Sequence, residues 1–467
     1  MMINPRTNFD LAIVGSGPGG YVAAIRASKM GLKTALIEEN EIGGICLNWG
    51  CIPSKALLKN ADVINLFKRA EEFGVTYSDL DYNFSKGLAR SRQVVQRLVR
   101  GINFLLKKND VTVLKGRAQI KDTKTIEINM ADNTTTISAN KIIIATGASH
   151  KNISGIEPDG DTIITSREAL ESPVVPASIL ILGGGATGVE FSYIYSTYGS
   201  DVTIAETRDH ILPNEDQEIS ILLESSLQKI GVNILTSSKV LSISRTETHL
   251  IVQLETPDGV QTVKVEKLLI AAGIVGNTSN IGLENVGLIP KDTFIEVDPR
   301  MQTIVDGIYA IGDVTGLLPL AHVASAQAII AIDDILGNPT DPLDYIYIPK
   351  ATYSNPQVAS FGHSERTAKE SGLSVNIGRF PFRANGKALA IGESEGLIKV
   401  LFNPINGSIV GAHMLGSDVT ELLATISMTN KLDGNFEDLS EMTYAHPTLS
   451  EIIKESAMEA LGKSIHI

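Results

Sequence analysis

The spacing of apolar and polar positions divides the chain into repeated strand and helix signals. Phe9 to Val14 is a short apolar run of the kind that forms a buried parallel strand. It is followed at once by Gly15-Ser-Gly17-Pro-Gly-Gly20 and then by the helical spacing of Tyr21 to Met30. Leu36-Ile37-Glu38 reads as a second strand ending in an acid. A long helical pattern places Leu88, Val94, Val95, Leu98, Ile102 and Leu105 along one face. Strands are predicted near Val111 to Ala118, at Ile126 to Ile128, and at Lys141 to Ala145, the last running into Thr146-Gly147. After Pro173 and Pro176 the order begins again. The strand Ile179 to Leu182 feeds Gly183-Gly-Gly185-Ala-Thr-Gly188, a helix containing Glu190 follows, and the strand Val202 to Ala205 ends at Glu206. Leu268 to Gly273 closes this second unit. Thr303 to Asp313 reads as a strand that delivers Asp313 either to a ligand or to the cap of the next helix. From about Tyr347 the pattern becomes alternating strands, with Leu397 to Phe402 and Ser408 to Leu415 joined through Asn406-Gly407, a strong hairpin signal. An amphipathic helix runs through Leu461.

Strand, glycine turn, helix and acid-terminated strand, in that order, form the fingerprint of a dinucleotide site. The first glycines let the backbone turn tightly and approach a pyrophosphate at the helix start, and the last permits close packing of helix on strand. The acid about 20 residues further on accepts bonds from ribose hydroxyls. Gly15, Gly17, Gly20 and Glu38 form one copy; Gly183, Gly185, Gly188 and Glu206 form the other. Two dinucleotides are implied. Glu206 would repel a ribose phosphate, which makes the second nucleotide NAD rather than NADP. The expected fold is α/β: two Rossmann-like dinucleotide-binding domains plus a C-terminal α+β domain. The expected boundaries are 1–149, 150–276, a central segment 277–346 that returns to the first site, and 347–467.

Composition adds limits rather than an architecture. The chain has 467 residues, 43% of them apolar and 20% charged, which suits an ordinary globular protein of several domains. Its net charge of −13 disfavours nucleic acid and anionic membranes as partners and suits a basic protein surface. Against that trend, Lys86, Arg90, Arg92, Arg97, Arg100, Lys107 and Lys108 follow one another with no acid between Asp81 and Asp110. They form a phosphate-facing or partner-facing surface or, as the simpler reading, a solvated helix face. No apolar run approaches the roughly 20 residues of a membrane helix, and Met1 to Asn8 has no apolar signal core. A soluble cytoplasmic protein is expected.

The chemistry concentrates in Gly43-Gly-Ile-Cys46-Leu-Asn-Trp49-Gly50-Cys51-Ile-Pro53-Ser-Lys55, which holds both cysteines and the sole tryptophan of the chain. Residues five apart on an ideal helix have α-carbons roughly 8 to 9 Å apart, beyond an unstrained disulfide. A redox disulfide here therefore requires a deformed first turn, which Gly50 and Pro53 allow. The alternative is a pair of small buried apolar side chains. Two cysteines exclude a disulfide scaffold and a zinc site, and no metal is expected. Near the end stands Tyr444-Ala-His446-Pro447-Thr-Leu-Ser-Glu451. Thr448 and Glu451 fit a capping box, in which Glu451 bonds backbone. Equally, a histidine that takes protons from thiols needs an acid to orient its ring, and Glu451 could be that acid. The residues permit both.

Together these motifs resemble the flavin-dependent pyridine nucleotide-disulfide oxidoreductases, and within them the branch that oxidises dihydrolipoyl groups. The most specific parts are residues 43 to 55, the doubled fingerprint, Tyr-Ala-Ile-Gly-Asp at 309 to 313 and His-Pro-Thr-Leu-Ser-Glu at 446 to 451. The resemblance implies that the first fingerprint and Asp313 bind FAD, with Glu38 on the ribose, Ala118 offering backbone to the adenine, and Thr146, Gly147, Ala321 and His322 lining the same cofactor. It implies that Lys55 lies by the flavin, paired with Glu190, and that Gly183, Gly185, Gly188, Glu206, Val240 and Gly273 hold NAD. Cys46 would then be the sulfur attacked by substrate, Cys51 the sulfur facing the flavin, and His446 the base, held by Glu451 and serving the neighbouring subunit. The implied assembly is a homodimer through the last domain. The implied partner is a lipoyl-bearing acyltransferase (E2) of a 2-oxo-acid dehydrogenase complex, or the carrier protein of glycine cleavage. The chain departs from many relatives at Val275, at Gln327, where a glutamate is common, and at Tyr444, where a histidine is common. None of these replaces a reacting group.

Overall fold

The computed structural model describes residues 8–467. Of the polar stretch Met1 to Asn8, all but Asn8 lies outside the described residues. The chain forms two compact units, one from segments 8–56, 88–151 and 273–345, the other from 57–87, 152–272 and 346–467.

In the first unit, strand β1 (Asn8–Val14), helix α1 (Pro18–Lys29) and strand β2 (Thr34–Glu38) realise the expected order. The parallel strands lie in the order Thr112–Lys115, β2, β1, Thr134–Ile144, with Ile308–Ala310 pairing in parallel with the end of the last. An antiparallel pair, Arg117–Ile120 and Thr125–Asn129, extends from Thr134–Ile144. Successive residues of β1 serve opposite faces: Ala12 and Val14 pack in one apolar cluster, Leu11 and Ile13 in another. Burial on both faces is why this strand reads as an unbroken apolar run. The expected strand over Val111 to Ala118 is divided at Gly116, where φ is +159° and an added Cβ would stand 2.7 Å from the Asn129 carbonyl oxygen. Of the expected strand Thr303 to Asp313, Ile308–Ala310 is extended. The chain before it is turned by Asp298, whose Oδ1 accepts from the N–H groups of Arg300 and Gln302.

Three helices complete the part that concerns the cysteines: α2 (Gly44–Trp49), α3 (Cys51–Lys68) and α4 (Phe84–Lys108). The break between α2 and α3 falls at Gly50 (φ −141°, ψ −117°). An added Cβ there would lie 3.2 Å from Cys46 Cα, so the close approach of the two turns depends on glycine. Pro53 occupies the first turn of α3, where its missing N–H costs nothing.

The second unit repeats the arrangement with β3 (Ser178–Leu182), α5 (Ala186–Thr197) and β4 (Asp201–Ala205) in a five-stranded parallel sheet. Helix α6 (Gln217–Lys229) is capped by Asp216. The C-terminal part is a five-stranded sheet in which β5 (Leu397–Phe402) and β6 (Ile409–Gly416) pair antiparallel, as the Asn406-Gly407 signal predicts. Its core holds Phe361, Phe380, Phe402 and Met414, and helix α7 (Glu451–Ala460) closes it with Ile452 and Ile453. Lys399 of β5, 2% exposed, bonds Asp216 at 2.9 and 3.1 Å, Glu218 at 3.0 Å and Glu365 at 2.7 Å. Burial alone would lower the Lys399 ammonium, but these carboxylates outweigh it and raise it. Among the described residues no helix is long and apolar enough to cross a membrane.

Candidate active site

The glycine loop of the first unit is built by close contact. Gly15 has φ +101°, and its added Cβ would stand 2.2 Å from the Ala145 carbonyl oxygen; that of Gly20 would stand 1.9 Å from the Gly15 oxygen. Gly17 differs, because nothing lies within 4 Å of its added Cβ. The loop is thus tight against the protein and open at the start of α1, which suits a pyrophosphate. Glu38 accepts from Ser16 N at 2.9 Å, Ser16 Oγ at 2.6 Å and Asn40 N at 2.7 Å. Its carbonyl takes the Gly116 N–H at 2.8 Å, which brings Ala118, two residues further on, beside the end of β2.

Thr146 and Gly147 follow Ile144, and Ile311 N bonds the Ile144 carbonyl at 3.0 Å, so Asp313 stands near them. The Asp313 side chain caps neither its own turn, whose N-cap is Ile311, nor the helix Ala321–Ile335, whose N-cap is Leu320. Burial pushes its carboxyl up, which suits a carboxylate facing a hydroxyl-bearing ligand. Ala321 and His322 open the helix Ala321–Ile335, and Gly19 of α1 abuts Ala324 of that helix.

The cysteine helix is docked on this loop. Gly43 N bonds the Ser16 carbonyl at 3.1 Å, and an added Cβ on Gly44 would lie 2.8 Å from Gly17 Cα. Asn48 locks the turn by donating to the Ile42 and Gly44 carbonyls, both at 3.0 Å. Cys46 and Cys51 are half-buried thiols rather than a disulfide. A hydrogen bond with Cys51, then burial, push the Cys46 thiol up, while Lys55 pulls it down. Cys51 is thus the hydrogen-bond partner of Cys46, and the Lys55 ammonium acts on the Cys46 thiol.

The second unit repeats the backbone contacts of the first. Gly183 has φ +109°, Gly188 would place a Cβ 1.9 Å from the Gly183 oxygen, and Gly185 faces open space. Glu206 accepts from Gly184 N at 2.7 Å and Arg208 N at 2.8 Å, as Glu38 does from Ser16 and Asn40. Its carbonyl takes the Ser238 N–H at 2.8 Å, with Val240 two residues on, as Gly116 and Ala118 stand to Glu38. Gly273 (φ +81°) lies in the first unit and accepts the Lys151 N–H at 3.1 Å. Glu190, buried on α5, takes the Tyr353 N–H at 3.0 Å; its expected partner Lys55 belongs to the first unit.

At the C-terminus His446 Nδ1 lies 3.0 Å from Glu451 Oε1, while Glu451 Oε2 accepts the Thr448 N–H at 2.8 Å. Glu451 thus contacts the His446 ring and one backbone N–H at the same time. The reciprocal half of a capping box is absent, because the Thr448 hydroxyl turns to the Ala445 carbonyl and Ser450, and Ser450 is the N-cap. Burial pushes the Glu451 carboxyl up, but the Thr448 N–H and His446 outweigh it and hold it below the usual range.

Residues 9–328 match the pyridine nucleotide-disulphide oxidoreductases, and residues 348–457 match the dimerisation domain of that family. The chain belongs to the pyridine nucleotide-disulphide oxidoreductase family. It is 41% identical over 477 residues to the dihydrolipoyl dehydrogenase of Rhizobium etli, covering 98% of this chain and 99% of that one. To the dihydrolipoyl dehydrogenase of Bacillus subtilis it is 41% identical over 471 residues, with 98% and 99% covered. The crystal structure of LpdA from Mycobacterium tuberculosis is similar with a TM-score of 0.89 at 29% identity, covering 97% of this chain and 99% of that one. The Cu(II) complex of the HOCl-induced flavoprotein disulfide reductase RclA from Escherichia coli gives 0.87 at 27%, with the same coverage.

For a pyridine nucleotide-disulphide oxidoreductase, several supporting residues carry no signal in sequence. Ser16 ties Glu38 to both the glycine loop and the cysteine helix. Asn277 clamps Thr146-Gly147, donating to the Thr146 carbonyl at 2.9 Å and accepting from Thr146 Oγ1 at 2.8 Å. Gln327, fully buried, accepts the Gly312 N–H at 2.6 Å and donates to Tyr345 at 3.0 Å, fixing the turn that carries Asp313. Burial pushes Tyr444 up to about 12, leaving it a neutral phenol where many family members have histidine. His466 Nδ1 lies 2.8 Å from Glu455, a second histidine–glutamate pair one turn along α7.

Proposed function

We propose that this protein is a dihydrolipoyl dehydrogenase that oxidises the dihydrolipoyl groups of 2-oxo-acid dehydrogenase or glycine-cleavage complexes at the expense of NAD+. The observation that carries the reading is the docking of the Cys46–Cys51 turn on the first glycine loop, Gly44 against Gly17, which sets a dithiol beside a dinucleotide cradle. The cradle fits FAD through Gly15, Gly17, Gly20, Glu38, Ala118, Thr146, Gly147, Asp313, Ala321 and His322. The second, through Gly183, Gly185, Gly188, Glu206 and Val240, fits NAD, since both Glu206 oxygens already face backbone N–H groups and leave no place for a ribose phosphate. Held by these residues, FAD would supply a two-electron acceptor for the dithiol and a hydride donor for the nicotinamide.

The remaining chemistry belongs to the chain. His446 has Nδ1 engaged by Glu451, so Nε2 is the nitrogen that removes a substrate thiol proton at the neighbouring subunit's site. The resulting thiolate attacks Cys46 of the oxidised pair, the Cys46–Cys51 bond breaks, and Cys51 leaves as a thiolate. The second substrate thiol displaces Cys46 from the mixed disulfide and releases lipoyl disulfide, which leaves the pair as the dithiol. Lys55 favours thiolate at Cys46 of this pair and supports the flavin side. The protein acts as a homodimer through its last domain, with a lipoyl-bearing acyltransferase or carrier as partner. A single cysteine pair used for redox chemistry suits a reducing compartment, the cytoplasm.

Anaerobic titration of the flavin-loaded protein with dihydrolipoamide tests this. A long-wavelength charge-transfer band is expected, absent in Cys51→Ser, and His446→Gln should keep its flavin but lose most turnover. Wild-type turnover by Cys51→Ser would overturn the reading.

A further inference from the structure

Helix α4 runs against the charge of the chain that carries it. The protein has a net charge of −13, yet α4 holds seven cations and no acid. Its inner face is committed: Val99, Ile102 and Leu106 pack in the apolar cluster that contains Cys46 and Ile52. Ser91, fully buried, donates to the Pro53 carbonyl at 3.0 Å, two residues beyond Cys51. The helix is therefore anchored beside the redox turn and extends about 37 Å.

The outer face presents Arg97, Arg100, Phe104, Lys107 and Lys108 in one row at helical spacing, all exposed. Phe104 is 64% exposed. A merely solvated helix face alternates acids and bases, since opposite charges one turn apart stabilise it and like charges destabilise it. Here Arg97 faces Arg100, and among the described residues no ion pair engages Arg97, Arg100, Lys107 or Lys108. The row weakens the helix that bears it and leaves an aromatic ring in water. Both costs are removed by an acidic partner with an apolar contact.

We propose that the outer face of α4 is a docking surface for the acidic face of the protein domain that carries the dihydrolipoyl group, holding that domain beside the redox turn. This rests on the reading above that the substrate arrives protein-bound. Arginine around an exposed aromatic ring is the composition of protein-interface hot spots. A long nucleic acid or an anionic bilayer is disfavoured by the chain's net charge of −13, whereas a compact domain can sit on the row alone.

The test compares the flavin-loaded wild type with Arg97→Glu/Arg100→Glu/Lys107→Glu and with the same three positions changed to Gln. The substrates are free dihydrolipoamide and a reduced, negatively charged lipoyl domain. For the wild type, kcat/KM on the lipoyl domain falls as ionic strength rises from about 0.01 to about 0.15 M. The Glu variant loses about tenfold or more on the domain at low salt, the Gln variant loses less, and kcat/KM on free dihydrolipoamide stays within about twofold. Titration of the lipoyl domain onto immobilised holoenzyme shows the same ranking, and the Gln variant carries the test if the Glu variant does not fold. Equal losses on both substrates, no loss on the domain, or a loss seen only in binding to phosphatidylserine vesicles would overturn the proposal. Failure of the wild type on free dihydrolipoamide would instead remove the functional reading on which it rests.

Discussion

Gly185→Ala separates the second nucleotide from the protein that would hold it. Gly185 is the N-cap of α5 with φ −71° and ψ −176°, a conformation alanine adopts, and its added Cβ meets nothing within 4 Å. The cost to the fold is therefore within about 0.5 kcal/mol. On the function proposed above, the open space in front of that Cβ is where phosphate oxygens would approach the N–H groups at the helix start. A methyl group there displaces them, and losing one charge-assisted hydrogen bond worth about 1.5 to 3 kcal/mol weakens NADH binding by about tenfold to 150-fold. Stopped-flow reduction of the flavin-loaded protein by NADH, compared with anaerobic reduction by dihydrolipoamide, reads the two halves separately. The dithiol half-reaction should stay within about twofold of wild type, because the second glycine loop takes no part in it. Gly188→Ala is the contrast: its Cβ would lie 1.9 Å from the Gly183 oxygen and 3.2 Å from Ile181 Cγ2, so α5 must move bodily. That variant should lose about 1 to 3 kcal/mol of stability together with NADH affinity. The reasoning is refuted if Gly185→Ala unfolds at the same urea concentration as Gly188→Ala, or if it impairs reduction by dithiol while sparing reduction by NADH.

Glu451→Gln should lower kcat about tenfold to a hundredfold with flavin content unchanged, because an amide offers one acceptor where the carboxylate serves both His446 and Thr448. Since the Glu451 carboxyl is held below its usual range, it stays ionised in the folded protein down to below about pH 4.3. An acid limb of the wild-type kcat profile above that value that tracked Glu451 would contradict this. Lys399→Met leaves the buried Asp216 carboxylate without its cation and should destabilise by about 3 to 5 kcal/mol at neutral pH, read from urea midpoints. Burial pushes the Asp216 carboxyl up, but His413 and Lys399 outweigh it, so its folded-state value lies below the ordinary one. Stability from such a group is present above the ordinary carboxylate value and is lost as pH falls through the lowered one. The gap between Lys399→Met and wild type should accordingly narrow below about pH 4, and a constant gap would assign the loss to packing alone.

The two fingerprints were legible in the chain because each depends on contacts between neighbours in sequence. A strand buried on both faces must be apolar throughout, and a turn of φ +101° or +109° excludes most residues but glycine. The cysteine turn was legible for a similar reason: five residues, a glycine and a proline permit one break, and α2 and α3 part at Gly50. Glu451 marks the limit. Its spacing to Thr448 and His446 was compatible with a cap or with an orienting acid, and only the folded loop shows one oxygen on each group, with the Thr448 hydroxyl turned away from the helix start. Ser16, Asn277 and Gln327 lie further beyond that limit, since each owes its role to a partner 15 or more residues away. Local covalent geometry and burial pattern thus settle the order of elements, the pair of cradles and the redox turn. Which polar group meets which carbonyl across the fold, and so what holds Glu38, Thr146 and Asp313 in place, is settled by the packing of segments distant in the chain, whose side-chain hydrogen bonds leave no periodic trace in sequence.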